Sequence, residues 1–205
     1  MKPPRWSRVA LAPLLIVGCT STPVHYHTLV PAPADDASAA ALSGYHIDIA
    51  AVRVPAQVDR YELVVRRSDG DITVADGELW VAALADEVRG GLLIELIRQL
   101  ESTDTVPRAA PQGVSLRVEV ERFESTLARF VLLQAAWHVQ VKTRAGEASV
   151  NCRSSAYQRV TAGYEALVLG DQRAVAAVAD EIAVAVRQMA GGGTAACPSQ
   201  LLARP

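Results

Sequence analysis

Three cysteines, Cys19, Cys152 and Cys197, are the residues of this chain best able to form covalent bonds. Their chemistry is a disulfide, a thioether to lipid or a free thiol, and an odd count leaves at least one to be explained separately. The four histidines are His25, His27, His46 and His138. A His25-x-His27 pair could hold a metal, but no cysteine or carboxylate accompanies it at ligand spacing, so no metal site is expected. His138 alternates with Trp137 on a strand pattern and is expected to face solvent. No Gly-x-Ser-x-Gly elbow, P-loop or dinucleotide fingerprint occurs. The Gly191-Gly192-Gly193 run lacks the following strand or helix of a phosphate cradle. No catalytic residue and no cofactor is assigned, and the chain is expected not to be an enzyme.

The N-terminus accounts for one cysteine. Lys2, Arg5 and Arg8 precede an apolar run over residues 9–17, broken by Pro13, which ends in Leu15-Ile16-Val17-Gly18-Cys19. A short apolar stretch behind basic residues is a secretory signal and is too short to span a bilayer. Its end resembles a bacterial lipobox. That resemblance implies cleavage before Cys19, a diacylglyceryl thioether on its sulfur and an acyl chain on its new amine. Several acyl chains anchor stably where one does not, at about 0.8 kcal/mol per buried CH₂. The plainer alternative is an ordinary signal peptide with an incidental Cys19. Thr20, rather than Asp, follows the cysteine, which favours the outer membrane. Cys152 and Cys197 then remain, and in an oxidising periplasm they are expected to pair. Closing that loop would contribute about 4 kcal/mol in the chain-entropy view; two free thiols are the alternative.

These residues need elements to position them. Residues 20–43 are rich in Thr, Pro, Ser, Ala and Asp and read as a linker, interrupted by a candidate short edge strand ended by Pro31. Period-two alternation predicts strands over 45–52, 61–66 and 72–75, the last two forming a hairpin across 68–71. Trp80, Leu84, Val88, Leu92, Leu93, Leu96, Ile97 and Leu100 recur every three or four residues and predict a helix over about 78–101. Gly90-Gly91 inside it costs about 1 kcal/mol per Gly against Ala and marks a close packing contact. Three more strands follow, near 114–122, 129–143 and 148–160, as an antiparallel meander. A second helix is expected from Gly170-Asp171 to Met189, with Asp171 as its N-cap and the glycine run as its stop.

The order predicts an α+β fold: a mostly antiparallel or mixed sheet of about five to six strands with two long helices packed on one face. The expected division is a cleaved signal over 1–18, lipid anchor and linker over 19–43, a periplasmic domain over 44–190 and a disulfide-tethered tail over 191–205. Length supports one domain, since the chain has 205 residues. Twenty basic against 22 acidic residues, a net charge of −2, exclude the basic face that nucleic-acid binding requires. Loss of the signal removes three cations and no acid, so the mature chain is more acidic still.

Val54-Pro55-Ala56-Gln57-Val58-Asp59-Arg60, then Leu63-Val64-Val65-Arg66, then Trp80 and Leu84, together resemble the ABC-type transport auxiliary lipoproteins, the PqiC/YmbA-like components of MCE lipid-transport systems. Residues 26–31 are similar to the family's Tyr-x-Leu-x-Pro opening. The chain departs from the family at Gln57-Val58, where Tyr-Leu is common, and at Leu79-Trp80, where Arg-Trp is common. The resemblance implies a periplasmic lipoprotein tethered to the outer membrane that docks an MCE-domain protein and forms a homo-oligomeric ring. ATP hydrolysis would belong to a partner. Pro55, Asp59, Arg60, Arg66 and Trp80 are the motif residues that could contact that partner. For Asp59-Arg60 the simpler alternative is a local ion pair, and for Trp80 it is a core position. A module that itself carries a lipid or other hydrophobe is the second functional reading; it would need an apolar cavity between sheet and helices.

Overall fold

The computed structural model describes residues 23–32, 44–68, 70–101, 112–143, 146–193 and 196–198. The order is β1(His25–His27), β2(Tyr45–Arg53), β3(Glu62–Ser68), β4(Asp71–Trp80), α1(Leu84–Glu101), β5(Gln112–Thr126), β6(Phe130–Thr143), β7(Gly146–Arg159) and α2(Tyr164–Ala190). The α+β class and both helices match the expectation. The strands form two sheets rather than one, in the orders β1-β4-β3 and β2-β5-β6-β7. β2 runs parallel to β5 and β1 parallel to β4; the other neighbours are antiparallel. β2 reaches its parallel neighbour only after the β3–β4 hairpin and α1 have carried the chain back across the sheet, as a parallel pair requires.

Alternation explains the large sheet. Val131, Leu133, Ala135, Trp137, Val139 and Val141 of β6 are buried, whereas the residues between them are partly exposed. Across β5 the same face carries Val114, Leu116, Val118 and Val120. Both helices cover this face: α2 lies on β6 and β7, α1 lies on β2, and the helices pack on each other. α1 presents Leu84, Val88, Leu92, Leu96 and Leu100, one residue per turn. α2 presents Val175, Val178, Ala179, Ile182, Ala183 and Val186. Each fully buried Leu, Ile or Val contributes roughly 1.5–3 kcal/mol of transfer free energy. Among the described residues no helix lies on the opposite face of the large sheet.

Two boundaries differ from the expectation. The chain stays extended through Trp80, whose N–H donates to the Tyr61 carbonyl at 2.6 Å, and α1 starts only at Leu84. Trp80 fits the helical spacing of α1, but ladder bonds to β1 and β3 claim its backbone. α2 begins at Tyr164, so Asp171 is not its N-cap but lies two turns inside it. Gly170, which suggests a boundary, is a packing position instead. A Cβ there would lie 2.3 Å from Val160 Cγ1.

Residues 24–31, which the sequence sets within a linker, belong to the folded body. β1 pairs with β4, and Leu29 is 1% exposed. Gly91 is the close contact that its position in α1 suggests: a Cβ on it would lie 2.9 Å from the Leu29 carbonyl oxygen and 3.2 Å from Val175 Cγ1. Glu87, itself buried, fastens the same segment, accepting hydrogen bonds from the Thr28 hydroxyl, the Leu29 N–H and the Ala82 N–H.

Candidate functional site

The motif segment leaves β2 and turns at once. The Pro55 carbonyl accepts from the N–H groups of Val58 and Asp59 at 2.9 and 3.2 Å. This turn buries Val58 and leaves Asp59 and Arg60 exposed, with Pro55 half-buried. Arg60 does not pair with Asp59. Its Nε lies 3.0 Å from Glu62 Oε2. A backbone hydrogen bond and the Arg60 guanidinium together hold the Glu62 carboxyl below the usual range.

Arg66 projects from β3 toward β5, where its Nε lies 3.0 Å from Glu124 Oε1. The contact is an ion pair without the alignment of a directed hydrogen bond at that nitrogen. Arg122 binds the same carboxylate through its Nε at 2.9 Å and through its Nη2. Glu124, only 8% exposed, therefore holds two guanidinium groups and ties the small sheet to the large one. A cleft of about 100 Å³ between the sheets is lined by Gln57, Val58, Arg66, Arg122, Phe123 and Glu124.

Behind this cleft lies Asp171. Ser125 donates its hydroxyl to Asp171 Oδ1 at 2.9 Å, whereas Oδ2 has no partner among the described residues. Burial pushes the carboxyl up to about 8, against the opposing effect of the Ser125 hydrogen bond. Asp171 is thus a neutral acid at pH 7. It borders a space of about 10 Å³ lined by Val58, Leu63, Trp80, Leu84, Phe123 and Leu167, about enough for one water molecule. Trp80 is 3% exposed and belongs to this core. Sequence patterning finds neither Glu124 nor Asp171 as a junction. Both roles depend on the two sheets meeting, and no local signal encodes that.

A second concavity, an open trough of about 700 Å³, lies on the helix-free face of the large sheet. None of the motif residues lines it. Pairing across β2, β5, β6 and β7 sets Ala51, Arg117, His138 and Asn151 in one row and Arg53, Glu119, Ala136 and Arg153 in the next. His138 Nδ1 lies 2.9 Å from Asn151 Oδ1, and Arg153 Nε donates to Glu121 at 3.0 Å. Arg53 and Arg117 have no carboxylate partner among the described residues. His138 is partly exposed on this face, as its alternation with Trp137 predicts.

At the trough's edge Cys152 of β7 and Cys197 of the tail form a disulfide with Cα atoms 5.5 Å apart. Trp137 Nε1 donates to Ser154 Oγ at 2.8 Å, and that hydroxyl donates to Glu181 Oε2 at 2.6 Å, joining the same strand to α2. His27 Nε2 lies 2.5 Å from Glu78 Oε2. Among the described residues no group of three or more His, Cys, Asp or Glu is arranged to hold a metal, and no helix is long and apolar enough to cross a membrane. Cys19 and the expected signal over 1–18 lie outside the described residues, as do residues 102–111.

No curated protein matches the chain. Among solved structures it resembles an uncharacterised protein at 17% identity and a TM-score of 0.53, covering 80% of this chain and 98% of that one. This likeness supports the fold alone. A Xanthomonas campestris protein of family DUF330 aligns at 18% identity, TM-score 0.47, over 72% of this chain and 86% of that one. A lipoprotein structure from Caulobacter crescentus aligns at 20% identity, TM-score 0.34, over 50% and 83%. The family model for the ABC-type transport auxiliary lipoprotein component matches residues 27–183, from β1 into the last turns of α2. A match over this span takes in β2 to β7, the whole of α1 and most of α2, and on it the chain belongs to the ABC-type transport auxiliary lipoprotein component family.

Proposed function

We propose that this chain is a non-catalytic auxiliary subunit of an MCE/ABC-type intermembrane lipid transport system. Lipids on Cys19 hold it to the periplasmic face of the outer membrane, and the folded domain docks an MCE-domain protein, as a single copy or as a ring of copies. The observation that carries this reading is the family match over residues 27–183. The packed interior favours docking over carriage of a lipid by this chain. The space bordered by Asp171, Trp80 and Leu167 is about 10 Å³, and a lipid-sized pocket needs hundreds. The larger trough is open to solvent on the face of the sheet away from the helices, with alanines among its arginines, glutamate and histidine, and so does not enclose an acyl chain. Affinity capture of the tagged, full-length lipoprotein from detergent-solubilised envelopes tests the reading. An MCE-domain protein is expected among the captured partners. Its absence from a preparation that yields intact, folded lipoprotein would sink the assignment.

A further inference from the structure

The small sheet carries an outward apolar surface next to where the lipid would attach. Tyr26 of β1 is in register with Leu79 of β4, so the two side chains share a face. Alternation sets Val24 and Val81 on that face too, one step beyond each strand segment. Exposure agrees: Val24 is 52%, Tyr26 67% and Val81 63% exposed, whereas Trp80 on the opposite face is 3%. Glu62 of β3 is also in register with Leu79, so its carboxylate, paired with the Arg60 guanidinium at 3.0 Å, lies at the rim of this face. A surface of two valines, a leucine and a tyrosine with an Arg60–Glu62 ion pair at its rim has the chemistry of a membrane interface, where tyrosine rings sit at headgroup level.

Chain length names the occupant. Only five residue steps separate Cys19 from Val24, at most about 18 Å when fully extended. The domain therefore cannot hang from a linker of the whole 20–43 span, because β1 and Leu29 are already locked into the fold by Glu87 and α1. Resting on the anchoring of Cys19 proposed above, we infer that Val24, Tyr26, Leu79 and Val81 form a membrane-contact face. This face seats the domain on the phospholipid surface in a fixed orientation. The helix-free trough of the large sheet is left free for a partner.

Acylated full-length protein reconstituted into vesicles of phosphatidylethanolamine and phosphatidylglycerol with brominated acyl chains tests the contact. Measured as the difference from the parent, whose buried Trp80 and Trp137 supply a common background, the emission added by Tyr26→Trp is expected to shift to the blue and to be mostly lost to bromine quenching. Ser149→Trp, on the exposed face of β7, should keep its emission. A Val81→Trp variant repeats the measurement should Tyr26→Trp fail to fold. Unquenched emission at both positions in vesicle-bound protein would overturn the proposal, and a second copy or a protein partner would then cover the face. Equal quenching at position 149 would also overturn it. Flotation of a chain begun at Thr20, which lacks both the signal and Cys19, separates the two ideas. If that chain floats as well as the parent, the anchor reading fails, and quenching at position 26 still decides whether the face meets lipid.

Discussion

The carboxylate of Glu87 accepts the backbone N–H of Leu29 at 2.8 Å, joining the first turn of α1 to a residue 58 positions earlier. The same oxygen takes the Thr28 hydroxyl at 2.8 Å, and the other oxygen takes the Ala82 N–H at 3.1 Å. One buried acid thus satisfies three donors from the N-terminal segment and from the turn before the helix. Glu87→Ala leaves these donors without an acceptor and should cost about 2–3 kcal/mol, read as a lower denaturation midpoint. Amide exchange should quicken first at residues 24–30. Glu87→Gln retains one oxygen acceptor and should lose less.

Gly91 is where α1 and the N-terminal segment touch. Alanine should gain about 1 kcal/mol in a helix interior. Here its Cβ would meet the Leu29 carbonyl oxygen at 2.9 Å, a backbone atom that cannot swing aside. Gly91→Ala is therefore expected to destabilise by about 1–3 kcal/mol, as overpacked sites do. Gly90→Ala meets only the tip of the Val30 side chain, at 3.0 Å, and should cost less. Thermal melts of the two variants make the comparison.

The Cys152–Cys197 bond closes a span of 45 residues between β7 and the tail. Replacing both with Ser should lower stability by about 4 kcal/mol by loss of the constraint on the unfolded chain. Treatment with a reductant should lower the melting temperature of the parent toward that of the double variant and leave the variant unmoved. A parent insensitive to reductant would show that the bond adds nothing.

Asp171 should make stability depend on pH. Its carboxyl titrates near 8 in the fold against about 3.8 ordinarily, because burial disfavours the charge. Between these values the folded state holds a proton that the unfolded chain has released. The contribution is thus fully present below about pH 4 and declines as pH rises toward 8. The expected decline is on the order of a few kcal/mol. Asp171→Asn still offers an oxygen to the Ser125 hydroxyl and does not ionise. Its denaturant midpoint should stay nearly level over the range in which the parent weakens.

Sequence patterning by itself determines both helices, the strands of the meander and which face of each is buried. The period of apolar residues directly reports which side of an element leaves water. Sequence alone leaves Cys152 and Cys197 as an expected pair with two free thiols as the alternative, and the tertiary structure brings them together as a disulfide. Local residues leave open where an element starts when two patterns compete. Trp80 fits the helical spacing of α1, and only ladder bonds to neighbouring strands assign it to β4. Gly170-Asp171 looks like a helix start, but tertiary contact with Val160 makes Gly170 a packing site and buries Asp171 in mid-helix. The split into two sheets, the Glu124 junction with Arg66 and Arg122, and the Glu87 clamp on Leu29 are decided by tertiary structure alone. Each joins residues dozens of positions apart, and whether a charge is buried or exposed there depends on which surfaces meet rather than on its neighbours in the chain. The short edge strand legible within the linker composition is present as β1, and its pairing with β4, which only the tertiary structure decides, brings the domain within five residues of its proposed anchor.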